Sequence, residues 1–245
     1  IENLSKVKKV VFDKTGTLTL EQPHVGRIYT YNGFSENELL GYAAAAETKQ
    51  SHPIAHAIVE ASQERGLRRP MIGEANYKIG YGITVRSDDR IIQVGSKRFM
   101  EIEGIPHVAK SQTHQEIAFE NGHSLVYVAI DGRLGGVIEI CPTIRPEAMR
   151  VVQALHQRNL SIVLISGDHE YPTRKLAQQL GIATHYANTL PEDKAVLIKE
   201  MQNNGKFVCF IGDGINDAIA LKQAQVSISL QGAATIATDT AQIIL

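Results

Sequence analysis

Residues 7–19 read VKKVVFDKTGTLT, a buried-strand pattern that runs directly into a loop rich in threonine and glycine. The residues up to Phe12 are apolar apart from two lysines, which is typical of a strand inside a sheet. The strand pattern ends at Asp13. Because open α/β sheets bind ligands beyond the carboxyl ends of their strands, the sequence predicts a ligand site at this aspartate.

Asp13 is a candidate covalent nucleophile. A carboxylate that attacks a terminal phosphoryl group forms an aspartyl-phosphate and divides one difficult displacement into two easier ones. Loop amides and threonine hydroxyls can hold the phosphoryl oxygens, while a divalent cation offsets their charge. On this motif alone, a solvated aspartate before a threonine-rich turn remains an open alternative.

Two later segments supply further parts of such a site. The strand pattern of residues 160–165 ends in Ser166-Gly167-Asp168, which offers a hydroxyl and a flexible amide to a phosphoryl group. Pro191 opens a predicted helix, because proline suits the first helical position. Lys194 lies one turn into that helix, and its ammonium can neutralise charge on a transferring phosphoryl group.

A fourth strand end carries a cluster of oxygen ligands. Residues 206–211 form another buried-strand pattern, followed by Gly212-Asp213-Gly214-Ile215-Asn216-Asp217. Two glycines around Asp213 permit a tight turn. The side-chain oxygens of this segment are of the kind that binds Mg²⁺. Four such motifs, each closing a strand, favour a functional site over four ordinary junctions.

These motifs resemble the ATP-binding and phosphorylation portion of a P-type ATPase. Asp13 to Thr19 is similar to the phosphorylation loop of that family, and Gly212 to Asp217 is similar to its Mg²⁺-binding hinge motif. Ser51-His52-Pro53 and Gly80-Tyr81-Gly82 resemble the heavy-metal-transporting branch. In that branch they belong to a small nucleotide-binding domain.

The resemblance implies ATP and Mg²⁺ as cofactors, with roles for particular residues. The implied catalytic residues are Asp13, Ser166, Gly167, Asp168, Lys194, Asn216 and Asp217. The implied metal ligands are Asp13, the Thr15 carbonyl and Asp213. The implied nucleotide-binding residues are Glu47, His52, Gly80, Gly82 and Gly95. Five positions depart from the heavy-metal pattern and leave the transported metal open: Gln50, Pro142, Ser166, His169 and Ile219.

The resemblance also implies partners and a location. We expect an excised soluble piece of a membrane protein, on the cytoplasmic face. Its partners would be ATP and, in the same full-length protein, an actuator domain and transmembrane helices that this chain lacks. The transported heavy-metal cation would bind elsewhere in that protein.

Composition agrees with an intracellular enzyme unit. The chain has 245 residues and a net charge of −1, which gives no electrostatic case for nucleic-acid binding. Its two cysteines, Cys141 and Cys209, lie in apolar strand-like runs, which predicts buried, reduced thiols. No apolar run reaches the roughly 20 residues that a membrane helix requires.

The predicted fold is α/β, with a doubly wound, mainly parallel sheet of the haloacid-dehalogenase-like type and an inserted α+β nucleotide-binding domain. Strand and helix patterns alternate from about residue 135 onwards, which indicates βαβ units. The predicted phosphorylation domain is therefore discontinuous, comprising 1–22 and 135–245, with the strand at residues 137–140 re-entering it. The nucleotide-binding domain is predicted over 23–134.

The insertion shows helix and hairpin signals of its own. Ser35 and Glu38 form a predicted capping box at a helix start, and Ser51 before Pro53 is a predicted cap of a second helix. Two strand patterns follow, at residues 83–86 and 91–94, separated by a polar turn.

The strongest alternative function is a soluble phosphatase of the haloacid-dehalogenase type, with the insertion as a cap domain. Such phosphatases place an acid/base aspartate two residues after the nucleophile. That position holds Thr15, which cannot act as a general base near neutral pH. A third alternative is a non-enzymatic nucleotide-sensing module, which the complete catalytic set disfavours.

Overall fold

The computed structural model describes residues 2–68, 70–73, 75–78, 82–87, 90–213, 217–230 and 241–245. Within these ranges the chain forms twelve strands and eight α-helices. The strands are β1 Lys9–Asp13, β2 His24–Thr30, β3 Ala75–Lys78, β4 Gly82–Ser87, β5 Arg90–Gly95, β6 Ser124–Ile130, β7 Arg133–Cys141, β8 Ser161–Ile165, β9 Thr184–Tyr186, β10 Val208–Gly212, β11 Val226–Ser229 and β12 Ile243–Ile244. The helices are α1 Glu36–Glu47, α2 Pro53–Glu64, α3 Lys97–Ile102, α4 Ala109–Asn121, α5 Ala148–Gln157, α6 Glu170–Leu180, α7 Pro191–Asn203 and α8 Ala218–Gln223.

The first of two compact units comprises residues 1–21 and 144–245. Its six-stranded sheet has the order β12-β11-β10-β1-β8-β9, and every pair is parallel. The chain adds β8 and β9 on one side of β1, then returns to add β10, β11 and β12 on the other. The strand order therefore reverses beside β1, which is the position where open α/β sheets bind ligands.

Helices cover both faces of this parallel sheet. Val10 and Phe12 of β1 share a core with residues of α5 and α6. Val11, which points to the opposite face, shares a core with residues of α7 and α8. The predicted doubly wound fold is confirmed.

The second unit comprises residues 22–143 and contains an antiparallel sheet of order β2-β7-β6-β5-β4-β3. Residues of α1 and α2 pack on one face of this sheet. Phe99 and Met100 of α3 belong to the core on the other face. This arrangement confirms the inserted α+β fold.

The predicted boundary at residue 135 is wrong. The strand pattern at residues 137–140 belongs to β7, which pairs with β2 and β6 in the second unit, and the chain returns to the first unit at residue 144. The turn at Asp131–Gly132 joins β6 to β7 as a hairpin, so β7 does not begin the following βαβ alternation.

Two helix starts test the predicted caps. The Ser35–Glu38 capping box is confirmed, because each residue's side chain bonds the other's backbone N–H. The predicted cap at Ser51 is wrong: His52 is the N-cap of α2. Pro53 is the first helical residue, and a residue that precedes proline is held in the extended conformation, so the cap falls on His52. Among the helices described here, none has the length and apolar character that crossing a bilayer requires.

Candidate active site

Asp13 ends the central strand of the first unit and is 5% exposed. Its register partner in β8 is Ile165, so Ser166 begins the adjacent loop. On the other side, Phe12 is paired with Ile211 of β10, and Asp213 follows two residues later. The parallel register thus brings the ends of three predicted motifs to one edge of the sheet.

The loop after Asp13 requires glycine at position 16 for two reasons. Gly16 has a φ of +70°, in the left-handed region that side chains rarely adopt. A Cβ at this residue would also lie 2.8 Å from Asp213 Oδ2. The Asp213 carboxylate therefore lies directly against the loop that carries Thr15. This proximity brings together parts of the predicted metal-ligand set.

Lys194 joins two carboxylates in the interior. Its Nζ donates to Asp13 Oδ1 at 2.5 Å and to Asp217 Oδ1 at 2.6 Å, and all three side chains are buried. Lys194 lies in the first turn of α7, which begins at Pro191 as predicted. The structure therefore places three of the predicted catalytic residues in direct contact.

The electrostatics of this cluster favour a cation. The pKa of Asp13 is raised to about 7: burial and the nearby Asp217 carboxylate both raise it, and Lys194 opposes them. Burial lowers the pKa of Lys194, but Asp13 and Asp217 more than offset this, so that pKa lies above its ordinary value. Lys194 contacts Asp13 and Asp217, and the Asp213 carboxylate also acts on Asp13, so these four groups carry an excess of two negative charges when all are ionised.

The donor set suits Mg²⁺. All the carboxylate ligands are hard oxygens, which that ion prefers. Asp217 Oδ2 is buried and has no hydrogen-bond partner within the described residues. It also lies where Gly212 leaves room, since a Cβ at that glycine would approach it to 2.6 Å. A buried, unpaired carboxylate oxygen is costly unless a cation or another donor reaches it.

The serine of the second motif is buried and held by its backbone. Ser166 N–H donates to the Tyr186 carbonyl at 2.9 Å, and Thr189 N–H donates to the Ser166 carbonyl at 3.0 Å. Its Oγ accepts from Asp168 N–H at 3.0 Å and remains able to donate its own proton. The Asp168 carboxylate forms an ion pair with Lys14 and is not part of the Lys194 cluster.

Two residues at this site were missed by sequence reasoning. Lys14 bonds Asp168, as described. Arg145 binds the loop that follows Asp13: its guanidinium donates to the carbonyls of Thr17 at 2.9 Å and Gly16 at 3.0 Å. Its partners lie about 130 residues away in sequence, so no local pattern could reveal them. Asn216, a predicted catalytic residue, lies outside the described residues.

In the second unit, Glu47 is a buried carboxyl at the end of α1. It is 6% exposed, and burial raises its pKa to about 7. His52 Nε2 lies 3.4 Å from Glu47 Oε2. Since His52 Nδ1 accepts the Ala55 N–H at 3.2 Å as the cap of α2, a neutral ring carries its proton on Nε2, facing Glu47. Burial lowers the pKa of His52, and His56 adds to this effect.

An open cavity of about 320 Å³ is lined by neighbours of these two residues, though by neither residue itself. Thr48, which follows Glu47, and Ala55, which bonds His52, both line it. Its volume lies within the range of small-molecule sites. The remaining lining residues are Gln22, Gln50, His56, Val59, Glu60 and Gln63.

The predicted glycines are only partly described. Gly82 of β4 and Gly95 of β5 are direct partners across the sheet. A Cβ at Gly82 would lie 2.5 Å from Phe99 Cδ1, so packing against Phe99 is sufficient to require glycine there. Gly80 lies outside the described residues.

Comparisons with known proteins cover all or nearly all of the chain. A family model described as haloacid dehalogenase-like hydrolase matches residues 7–225. The chain is 34% identical over all 245 residues to the copper-exporting P-type ATPase of Bacillus subtilis (strain 168), of which it covers 30%. The chain thus spans about a third of the length of the curated relatives it matches.

Solved structures give the same result. The crystal structure of a zinc-transporting PIB-type ATPase in the E2.Pi state matches 98% of this chain with a TM-score of 0.85 and 32% identity, over 38% of its own length. The catalytic domain of the CPx-ATPase CopB-B, studied for conformational changes upon nucleotide binding, matches 99% of this chain with a TM-score of 0.74 and 30% identity, over 86% of its own length.

Proposed function

The chain belongs to the haloacid dehalogenase-like hydrolases, and we propose that it is the ATP-binding and phosphorylation unit of a P-type ATPase that transports a heavy metal. It is homologous over its whole length to P-type ATPases named for copper and zinc, which confirms the predicted resemblance. The single observation that carries the proposal is the buried contact of Lys194 with Asp13 and Asp217.

In the proposed reaction, an oxygen of Asp13 attacks the γ-phosphorus of ATP. The new bond joins that oxygen to phosphorus, the bond between phosphorus and the β–γ bridging oxygen breaks, and ADP leaves with the bond's electron pair. Lys194 stabilises the charge on the transferring group, since its ammonium lies at the nucleophile. Ser166 and Gly167 contribute donors to the phosphoryl oxygens.

Mg²⁺ would be held by Asp13, the Thr15 carbonyl and Asp213, and it would supply neutralisation of phosphate charge. Asn216 and Asp217 would orient the site. The structure adds a positioning role for Arg145, which binds two carbonyls of the loop that follows the nucleophile. Asp168 would act through its ion pair with Lys14.

The nucleotide base would bind the second unit near Glu47 and His52. The neighbouring cavity and Glu47 Oε2 support this assignment: that oxygen is buried, forms no hydrogen bond within the described residues and lies 3.4 Å from His52 Nε2, so it can accept a hydrogen bond from an amino group. Gly80, Gly82 and Gly95 would provide backbone near the phosphates or the ribose.

The persistence of the aspartyl-phosphate separates this proposal from a soluble phosphatase. Thr15 cannot serve as a general base, so the phosphorylated chain would hydrolyse slowly on its own. In the full-length protein the base would come from an actuator domain. That protein would also supply transmembrane helices and the site for the transported metal, with this unit on the cytoplasmic face.

Nucleotide binding and phosphorylation should be measured separately on the 245-residue chain. We expect Asp13→Asn to abolish the acid-stable phosphoenzyme formed from ATP and Mg²⁺ while nucleotide affinity stays nearly unchanged. Asp193→Asn, at an exposed carboxylate one residue before Lys194, is the control and should retain both properties. Equal loss of affinity and of phosphorylation in Asp13→Asn would contradict the division of roles between the two units.

A further inference from the structure

Three side chains of the second unit that the proposed function does not use form a compact ligand cluster. His123, Glu139 and Cys141 each offer one ligand atom, and these atoms all lie within 4.8 Å of one another. His123 Nδ1 is 2.8 Å from Glu139 Oε1 and 3.5 Å from Cys141 Sγ. Glu139 and Cys141 are buried, while His123 is partly exposed.

The sheet topology brings these residues together. Glu139 and Cys141 are two residues apart on β7, so their side chains point to the same face. Ser124 of β6 is paired with Ile140 of β7, which places His123, one residue before Ser124, beside the end of β7. The cluster therefore joins the start of one strand to the end of its neighbour.

The third strand of this region opens space for the cluster. The register of β2 against β7 shifts between Val25 and Ile28, which leaves a bulge at Gly26 and Arg27. A Cβ at Gly26 would lie 2.6 Å from Cys141 Sγ and 3.1 Å from Glu139 Oε2. The Arg27 N–H donates to the same Glu139 oxygen at 3.2 Å, so the carboxylate is oriented from the backbone.

We propose that His123, Glu139 and Cys141 bind a divalent transition-metal ion of the zinc type. Zinc bonds of about 2.0–2.3 Å place tetrahedral ligand atoms about 3.5 Å apart, close to the Nδ1-to-Sγ separation. A small outward shift of Glu139 Oε1 would admit the ion between carboxylate and imidazole. The fourth position is left for water or a ligand.

The charges and ligand types also fit. A thiolate and a carboxylate balance the two charges of the ion, so the bound site is neutral at this buried position. On binding, the metal–sulfur bond replaces the thiol S–H bond and the proton leaves to solvent. When the metal binds, the ring proton that Nδ1 shares with Glu139 Oε1 leaves to solvent and another is taken up on Nε2, so the imidazole stays neutral and the Nδ1 lone pair is free for the metal. Imidazole and thiolate select zinc-like ions over Mg²⁺, in contrast to the all-oxygen site at Asp13.

Cobalt titration of the full chain tests the proposal. Co²⁺ added to the metal-free chain should give one equivalent of a thiolate-to-cobalt absorption band in the near ultraviolet, which Zn²⁺ should displace. Cys141→Ser should remove the band, and His123→Gln or Glu139→Gln should weaken binding at least tenfold. Zinc should raise the melting temperature of the wild-type chain but not of Cys141→Ser.

Two variants serve as controls. His24→Gln alters a neighbouring exposed histidine that bonds Thr143, and Cys209→Ala removes the other buried cysteine, in β10; both should keep the cobalt band. The cobalt band of the wild-type chain is measured without any variant. Its absence therefore counts against the proposal even if Cys141→Ser fails to fold. Absence of the band in the wild type, or its loss in Cys209→Ala with retention in Cys141→Ser, would overturn it.

Discussion

Asp13 in the first unit and Glu47 in the second are both buried carboxyls whose pKa is raised to about 7, yet their surroundings differ. Asp13 is buried, contacts the Lys194 ammonium and has the Asp217 carboxylate as a negative neighbour. At Glu47, burial alone raises the pKa, and the carboxyl faces His52, whose own pKa is lowered. Burial is the largest cause of both shifts; at Asp13 charged neighbours act on the pKa as well, whereas at Glu47 burial acts alone.

This difference indicates what each carboxyl can do. Asp13 has a permanent cation in contact, and Lys194 favours its ionised form against burial and Asp217 and lies where the charge of a transferring phosphoryl group would develop. Glu47 has no such cation within the described residues, so it can hold its proton near neutral pH and exchange a proton or hydrogen bond with a ligand. The following variants test this contrast in order of decreasing expected effect.

Removing the cation of the first unit should have the largest effect. Lys194→Met leaves two buried carboxylates without their partner, which typically costs about 3–5 kcal/mol of folding free energy. We expect phosphoenzyme formation to fall by a factor on the order of 10³, as for the loss of a strong transition-state contact. Rapid-quench phosphorylation measures the rate and chemical denaturation measures the stability.

The control for this variant lies on the same helix. Lys199→Met changes an exposed lysine of α7 and should leave both quantities unchanged. If Lys194→Met phosphorylated at the wild-type rate, Lys194 would have no role in transfer.

Adding a base beside Asp13 should change the lifetime of the phosphoenzyme. Thr15→Asp is expected to accelerate dephosphorylation, because general bases contribute about 10²- to 10⁴-fold. Pulse-chase decay of the labelled chain gives the rate. Thr15→Asn introduces a side chain with the shape of aspartate but no base, so its phosphoenzyme should decay as slowly as that of the wild type. Rapid decay in the unmodified chain, on the order of 10 per second, would instead favour the soluble phosphatase.

Neutralising the carboxyl of the second unit should raise stability at high pH. The pKa of Glu47 is about 7 when folded against an ordinary value of 4.5, so its contribution to stability is complete below pH 4.5 and is lost as the pH rises through 7. Glu47→Gln should therefore gain stability relative to the wild type across this window, by at most about 3 kcal/mol.

Denaturant unfolding at pH 4.5 and pH 8 measures this gain. Glu120→Gln, at an exposed glutamate of α4, should show no such pH-dependent difference. A constant difference between Glu47→Gln and the wild type at both pH values would show that Glu47 does not titrate as the buried setting requires.

The smallest expected effect concerns His52, which has two separable roles. His52→Ala should weaken ATP binding by about 1–2 kcal/mol, the usual cost of one polar contact, and should also destabilise α2 through loss of its cap. His52→Asn retains a capping side chain and so isolates the nucleotide contact. Calorimetric titration with ATP compares the variants. Full ATP affinity in His52→Asn would exclude the imidazole from nucleotide recognition.

Much of the fold could be predicted because its signals are local. Apolar strand runs and helix starts such as Pro191 carry the alternation that predicts the parallel sheet. The error at residue 135 came from β7, whose apolar pattern is the same whether it pairs in one unit or the other. Pairing partners, which sequence periodicity does not specify, decide that assignment.

The candidate site divides in the same way. Asp13 and Lys194 could be found because each closes or opens a recognisable element. Arg145 could not, since its function depends on loop carbonyls that only the folded chain brings to it. The cluster at Cys141 was missed for the same reason, because it depends on strand pairing and on a bulge in a third strand.

The most direct measurement identifies the residue that receives the phosphoryl group. The chain is incubated with ATP and Mg²⁺, quenched in acid and reduced with borohydride, which converts a phosphorylated aspartate to homoserine. Peptide mass spectrometry then locates the change. We predict homoserine at Asp13, absent when ATP is omitted. Homoserine at Asp168, Asp213 or Asp217, or none at Asp13 in a chain that binds ATP, would contradict the proposal that Asp13 is the nucleophile.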